Sequence, residues 1–111
     1  MFGNRFAQPS DPADLDLEAF AKALDAGEVT VVDVREPHEF AAGRIPGSLN
    51  LPMSRFDPGE LPSGKAVVLI CRSGNRSRNA LAQARAAGRD DLRHFPGGML
   101  QWGEFGGDLE V

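Results

Sequence analysis

The stretch "AVVLICRSGNRS", residues 66–77, decides the fold and points to the functional site. Its first five residues are apolar without interruption, which is typical of a strand buried on both faces in a parallel sheet. Cys71 follows at once, and a polar loop leads from it into a helical pattern. Ligands of open α/β sheets bind beyond the carboxyl ends of the strands. The stretch therefore predicts a buried strand, a functional loop and a helix, in that order.

Strands and helices alternate on both sides of this stretch. Residues 16–27, "DLEAFAKALDAG", place apolar residues at helical spacing between an N-cap and a terminating glycine. Residues 29–34, "VTVVDV", predict a second buried strand, and a short helix is expected from Pro37 to Gly43. The helix after the cysteine loop is expected to begin near Ser77, and further short elements follow at "LRHF" and "GGMLQWGEF". The alternation predicts an α/β domain with a central, mostly parallel sheet flanked by helices.

Composition limits the chain to one small domain. The 111 residues are 41% hydrophobic and 25% charged, and they hold one cysteine. We expect a loose segment over residues 1–14 and a single domain over residues 15–111. No run approaches the ~20 apolar residues of a membrane span, and no signal peptide is evident, so a cytoplasmic protein with a free thiol is expected. The net charge of −4 disfavours a nucleic-acid partner, and the spacing of cysteine and histidine predicts no metal site.

The loop after Cys71 has the composition of an anion-binding cradle. A free thiol with a pKa of ~8.5 is mostly protonated at neutral pH, whereas the thiolate is the nucleophile. A helix N-terminus, consecutive backbone N–H groups and two cations would stabilise that anion. The residues expected to form the cradle are Arg72, Ser73, Gly74, Asn75, Arg76 and Ser77. An inert core cysteine is the alternative, but it needs none of these neighbours, so the loop favours a reactive Cys71.

Other polar residues receive supporting roles or none. Asp33 and Arg35 lie at the carboxyl end of the strand predicted over residues 29–34, where an ion pair or hydrogen bonds that fix the loop are favoured over direct chemistry. Trp102 is interpreted as a packing anchor. The sequence assigns no catalytic role to His38 or His94.

Four segments together carry a family resemblance. These are "VVDVREPHEF", "GRIPGSLNLP", "CRSGNRS" and "FPGGMLQW", and in this order they resemble the single-domain rhodanese-homology sulfurtransferases. The resemblance covers the chain from about Leu15 onward. It implies a rhodanese-like fold, with Cys71 as the sulfur carrier and residues 72–77 as its cradle. With only one copy of the domain, the site is expected to be shallow and open.

The resemblance also implies a chemistry. Cys71 would take a sulfane sulfur from a small anionic donor such as thiosulfate, hold it as a persulfide, and pass it to a cellular thiol, a protein acceptor or cyanide. Arg72 and Arg76 would draw in the donor. Neither an organic cofactor nor a metal enters this scheme.

Two other functions remain open on the sequence alone. Cysteine-dependent phosphatases and arsenate reductases use a cysteine and an arginine spaced as C-x5-R, whereas Cys71 and Arg76 are spaced as C-x4-R. The tighter ring suits a sulfur atom better than a phosphoryl group. A non-catalytic sulfur carrier or regulatory module that serves a partner protein is the other alternative.

Overall fold

Four parallel strands form the single sheet of the computed structural model, which describes residues 11–111. The strands are β1 (Val29–Asp33), β2 (Leu49–Asn50), β3 (Ala66–Ile70) and β4 (Arg93–His94), and their order across the sheet is β2-β1-β3-β4. The three pairings between these strands are parallel. The predicted α/β architecture with a parallel central sheet is therefore confirmed.

In the described part of the chain, four helices precede, connect and follow the strands. They are α1 (Leu17–Asp25), α2 (Pro37–Ala42), α3 (Asn75–Ala86) and α4 (Gly98–Phe105), with 3-10 turns at Met53–Arg55 and Pro58–Glu60. The Asp16 carboxylate accepts the Ala19 N–H at 2.8 Å and so caps α1. None of these helices, within residues 11–111, has the length and apolar character needed to cross a bilayer.

The helices cover both faces of the sheet. Because strand side chains alternate, Val31, Val68 and Ile70 lie in one apolar cluster, while the neighbouring strand residues join the other. The first cluster also contains three aromatic residues, which are Phe20 of α1, Trp102 of α4 and Phe95, which precedes α4. The rings of Phe20 and Phe95 are stacked, with their centroids 4.4 Å apart. The second cluster is closed by α3 through Ala80, Leu81 and Ala84, and it includes Cys71. Trp102 is thus the packing anchor that was predicted.

The strand order brings two polar strand ends together. From β1 the chain moves outward to β2 on one side, and it then crosses back to β3 on the other side. The direction reverses at the carboxyl ends of β1 and β3, which is the position where open α/β sheets bind their ligands. Asp33 is in register with Ile70, so Asp33 and Cys71 end neighbouring strands.

The ordered domain begins before the predicted boundary at Leu15. The Ala13 carbonyl accepts the His94 N–H at 2.9 Å, and the Leu15 N–H donates to the His94 carbonyl at 2.7 Å. Ala13 is buried, and Asp11 forms an ion pair with Arg85. Residues 11–14 are therefore joined to the domain along β4, through pairings with distant residues that leave no local pattern. Residues 1–10 of the predicted loose segment lie outside the described residues.

Candidate active site

The loop after β3 wraps around the sulfur of Cys71. The Gly74 N–H donates to Sγ at 3.0 Å, and the Ser77 hydroxyl lies 3.3 Å from the same atom. Gly74 makes the turn possible, because its φ is +102° and a Cβ there would lie 2.7 Å from the Pro96 carbonyl oxygen. Helix α3 begins at Asn75, earlier than the predicted start near Ser77. Ser77 consequently lies in the first helical turn, with its hydroxyl against the sulfur.

These contacts favour the ionised form of the thiol. Burial would raise the pKa of Cys71, but hydrogen bonds from the Ser77 hydroxyl and from the backbone N–H groups of Ser77, Gly74 and Ser73 outweigh it. The pKa of Cys71 is lowered below its ordinary value as a result. A nucleophilic thiolate is thus stabilised chiefly by neutral hydrogen-bond donors, and the charges of Arg76 and the thiolate also favour each other.

The start of α4 covers the loop. The Met99 N–H donates to the Cys71 carbonyl at 2.9 Å, and the Leu100 N–H donates to the Arg72 carbonyl at 3.0 Å. The exposed fraction of Cys71 is only 1%. The expectation of a shallow, open site is therefore not met at Cys71, which is buried.

The two arginines of the loop have different environments. Both terminal nitrogens of Arg76 bind the Glu39 carboxylate, at 2.6 and 3.0 Å. Hydrogen bonding to Arg76 lowers the pKa of Glu39 to about 2 and raises that of Arg76. Arg76 thus ties α3 to α2 and is not the free cation that the sequence suggested. Arg72 is exposed and has no carboxylate partner among residues 11–111, so it is the loop cation available to an incoming anion.

Asp33 and Arg35 form a buried pair beside the loop. The Arg35 Nη2 donates to Asp33 Oδ2 at 2.8 Å and to the Gly43 carbonyl at 2.8 Å. The Asn50 amide donates to the carbonyls of both residues. The pair therefore fastens the end of β1 to β2 and to the end of α2, and no hydrogen bond among the described residues joins it to residues 71–77. This geometry supports a positioning role over direct chemistry.

Comparison with known proteins decides the family. A model described as "Rhodanese-like domain" matches residues 16–105. The chain belongs to the rhodanese-like domain family.

Relatives of this rhodanese-like domain include named sulfurtransferases. A protein named "Sulfurtransferase" from Allochromatium vinosum is 36% identical over 84% of this chain and 90% of its own length. An uncharacterized protein, slr1261 of Synechocystis, is 49% identical over 70% of this chain, which spans only 45% of that protein. Among solved structures, the human single-domain sulfurtransferase TSTD1 superposes with a TM-score of 0.73 at 27% identity, covering 85% of this chain and 97% of that one.

The rhodanese-like domain also holds a buried histidine whose contacts the sequence did not predict. His94, at the end of β4, is fully buried, and its Nε2 lies 2.7 Å from the Ser77 hydroxyl oxygen. Its Nδ1 lies 3.1 Å from Asp14 Oδ1. The fold thus brings Asp14, His94, Ser77 and Cys71 into a continuous hydrogen-bonded row. The only sequence signal was a histidine in a short apolar strand, and its partners lie 80 and 17 residues away.

Proposed function

We propose that this rhodanese-like domain is a sulfurtransferase that carries sulfane sulfur as a persulfide on Cys71. The observation that carries the proposal is the cradle around the sulfur, in which Gly74 and Ser77 contact Sγ and the pKa of the thiol is lowered. A cradle of neutral donors around an isolated cysteine suits a sulfur that must be anionic both before and after it receives a second sulfur atom. The names of the relatives support the same class of reaction.

The first step loads the cysteine. The Cys71 thiolate attacks the outer sulfur of a small anionic donor such as thiosulfate, a sulfur–sulfur bond forms, and the donor's own sulfur–sulfur bond breaks. Sulfite leaves with the bonding electron pair, so the protein is left with a persulfide anion. Arg72, as the exposed loop cation, attracts the donor and offsets charge on the departing sulfite.

The second step returns the free thiolate. A nucleophilic acceptor, either a thiolate of a small molecule or protein or cyanide in an assay, attacks the outer sulfur of the persulfide. The Cys71 thiolate is displaced with its electron pair, and the acceptor leaves as a persulfide or as thiocyanate. Backbone donors of residues 72–77 stabilise the anion at every stage, so no organic cofactor or metal is required.

The arrangement of Arg76 disfavours a phosphatase or arsenate reductase. Such enzymes direct the arginine of the loop at a tetrahedral oxyanion, whereas both terminal nitrogens of Arg76 are held by Glu39. A sulfur carrier that serves a partner protein would use the same Cys71 persulfide. Turnover with a small acceptor separates the carrier from the enzyme.

Thiocyanate formation from thiosulfate and cyanide tests the proposal. The wild-type protein should produce thiocyanate catalytically, and Cys71→Ser should produce none above the uncatalysed rate. Asn79→Ala is a matched control, because Asn79 is exposed on α3 and, within residues 11–111, the one side-chain hydrogen bond it makes is accepted from Gln83. Absence of turnover in folded wild type, together with phosphate-ester hydrolysis that depends on Cys71, would refute the sulfurtransferase.

A further inference from the structure

The hydroxyl of Ser77 links the nucleophilic sulfur to a buried histidine. Its oxygen lies 3.3 Å from Cys71 Sγ, 3.2 Å from the Gly74 carbonyl oxygen and 2.7 Å from His94 Nε2. A serine hydroxyl has one proton to donate but two lone pairs with which to accept. Ser77 can therefore donate to one neighbour while it accepts from another, which is the property that a proton relay requires.

Asp14 fixes the orientation and the tautomer of the imidazole. The Asp14 carboxylate is held by both terminal nitrogens of Arg78 at 3.0 Å, and its pKa is lowered because hydrogen bonds from Arg78 and His94 outweigh its burial. Because the carboxylate is ionised, it accepts a hydrogen bond from the N–H on Nδ1 of His94. Nε2 is then an acceptor that faces Ser77, and this neutral imidazole can accept a proton.

We propose that His94 takes up the thiol proton of Cys71 through Ser77, with Asp14 stabilising the imidazolium that results. The S–H bond breaks as its proton moves to the Ser77 oxygen, and the original Ser77 proton moves to Nε2. The products are a thiolate and an imidazolium. The Ser77 O–H then points at the thiolate and accepts the new N–H of His94. No external base is consumed, and the net charge of the buried group is unchanged. His94 and Asp14 are positioning residues for the proposed sulfur transfer, and the purpose of the relay rests on that proposed function.

The charges around His94 suit this role. Burial and the positive charge of Arg78 lower the pKa of His94, and Asp14 and Asp11 oppose them. A buried imidazolium therefore needs a nearby negative charge, which the Cys71 thiolate supplies, and the imidazolium in return favours formation of the thiolate. Such reciprocal dependence makes the two groups titrate as a coupled pair.

Direct titration of the thiolate tests the relay. The ultraviolet absorbance of the thiolate reports on Cys71 alone, because the chain has one cysteine and no tyrosine. His94→Gln and Asp14→Asn should each raise the midpoint by about one pH unit, which reduces the thiolate roughly tenfold at pH values below the midpoint. The alternative is that His94 only competes with the sulfur for the hydrogen bond from the Ser77 hydroxyl. In that case His94→Gln will lower the titration midpoint of Cys71. A lower or unchanged midpoint overturns the proposal.

The reverse measurement tests the same coupling. Two coupled proton-binding sites influence each other by the same factor. Cys71→Ser should therefore lower the titration midpoint of His94, which nitrogen NMR of the imidazole measures. The size of this shift should equal the rise that His94→Gln causes in the titration midpoint of Cys71. His38 lies exposed on α2 and serves as the internal reference. An unaltered His94 titration in Cys71→Ser would also overturn the relay.

One control separates the relay from simple packing. Arg85→Gln breaks the ion pair with Asp11, and so loosens the same segment as Asp14→Asn without touching Asp14 or His94. Its thiolate midpoint should equal that of wild type, and an equal shift would attribute the effect to loss of packing. Circular dichroism confirms that each variant is folded. The titrations need no sulfur donor, so they can fail while thiosulfate still loads Cys71, and they can succeed when it does not.

Discussion

Two glycines of α4 give opposite predictions for the same substitution. Gly98 has φ +61°, and a Cβ there would lie 2.5 Å from the carbonyl oxygens of both Cys71 and Arg72. Those carbonyls accept the hydrogen bonds that hold α4 on the loop. Gly103, on the exposed side of the same helix, has nothing within 4 Å of an added Cβ.

The expected magnitude for Gly98→Ala is the sum of backbone strain and lost hydrogen bonds. A left-handed alanine costs about 1 to 2 kcal/mol. The overlap forces α4 away from the loop and removes one or two hydrogen bonds, worth about 1 kcal/mol each. The free energy of unfolding should fall by about 2 to 4 kcal/mol, which lowers Tm by roughly 10 to 20 °C.

Thermal and urea denaturation of both variants measure this difference. Gly103→Ala should be neutral or stabilise by up to about 1 kcal/mol, because alanine favours a helix interior over glycine. Because the carbonyl of Cys71 itself is displaced in Gly98→Ala, its thiolate midpoint should change as well. A stability of Gly98→Ala within about 0.5 kcal/mol of wild type would refute the account of how α4 covers the loop.

Three further predictions concern the framework of the site. The pKa of Glu39 is about 2 in the folded protein, against an ordinary value of 4.5. Its ion pair therefore stabilises the fold fully above pH 4.5 and loses this contribution as the pH falls toward 2. In Glu39→Gln, the free energy of unfolding measured in urea should vary less with pH across that window. Asp33→Asn leaves the Arg35 guanidinium buried against a neutral partner, and urea denaturation should show a loss of about 3 to 5 kcal/mol, whereas a loss below 1 kcal/mol would contradict the buried pair. Phe20→Ala removes the ring stacked on Phe95 and should cost about 3 to 5 kcal/mol in the same assay, with a small loss contradicting its place in the core.

Local patterns predicted the elements well. The apolar run ending at Ile70, the N-cap Asp16 and the proline at the first position of α2 each depend on a few consecutive residues, and each specifies its strand or helix. Cys71 and its glycine-containing loop could be predicted for the same reason. The helix start moved from Ser77 to Asn75 because Gly74, with its left-handed backbone, takes the N-cap position.

Features that depend on distant residues could not be predicted. The sequence predicted a free cation at Arg76, because its partner Glu39 lies 37 residues earlier on another helix. His94 reads as a strand residue because its partners come from the N-terminal segment and from α3. The packing of α4 on the cysteine loop likewise depends on tertiary contacts alone. The chemical character of each residue can be taken from the sequence, but the residue that it contacts is determined by the tertiary structure.

Intact mass spectrometry of the purified protein after thiosulfate treatment, before and after cyanide, tests the central claim most directly. The account predicts that wild type gains the mass of one sulfur atom, that cyanide removes it, and that Cys71→Ser shows neither change. A folded wild-type protein that stays unmodified by thiosulfate, or a sulfur adduct that persists in Cys71→Ser, would contradict the assignment of Cys71 as the sulfur carrier.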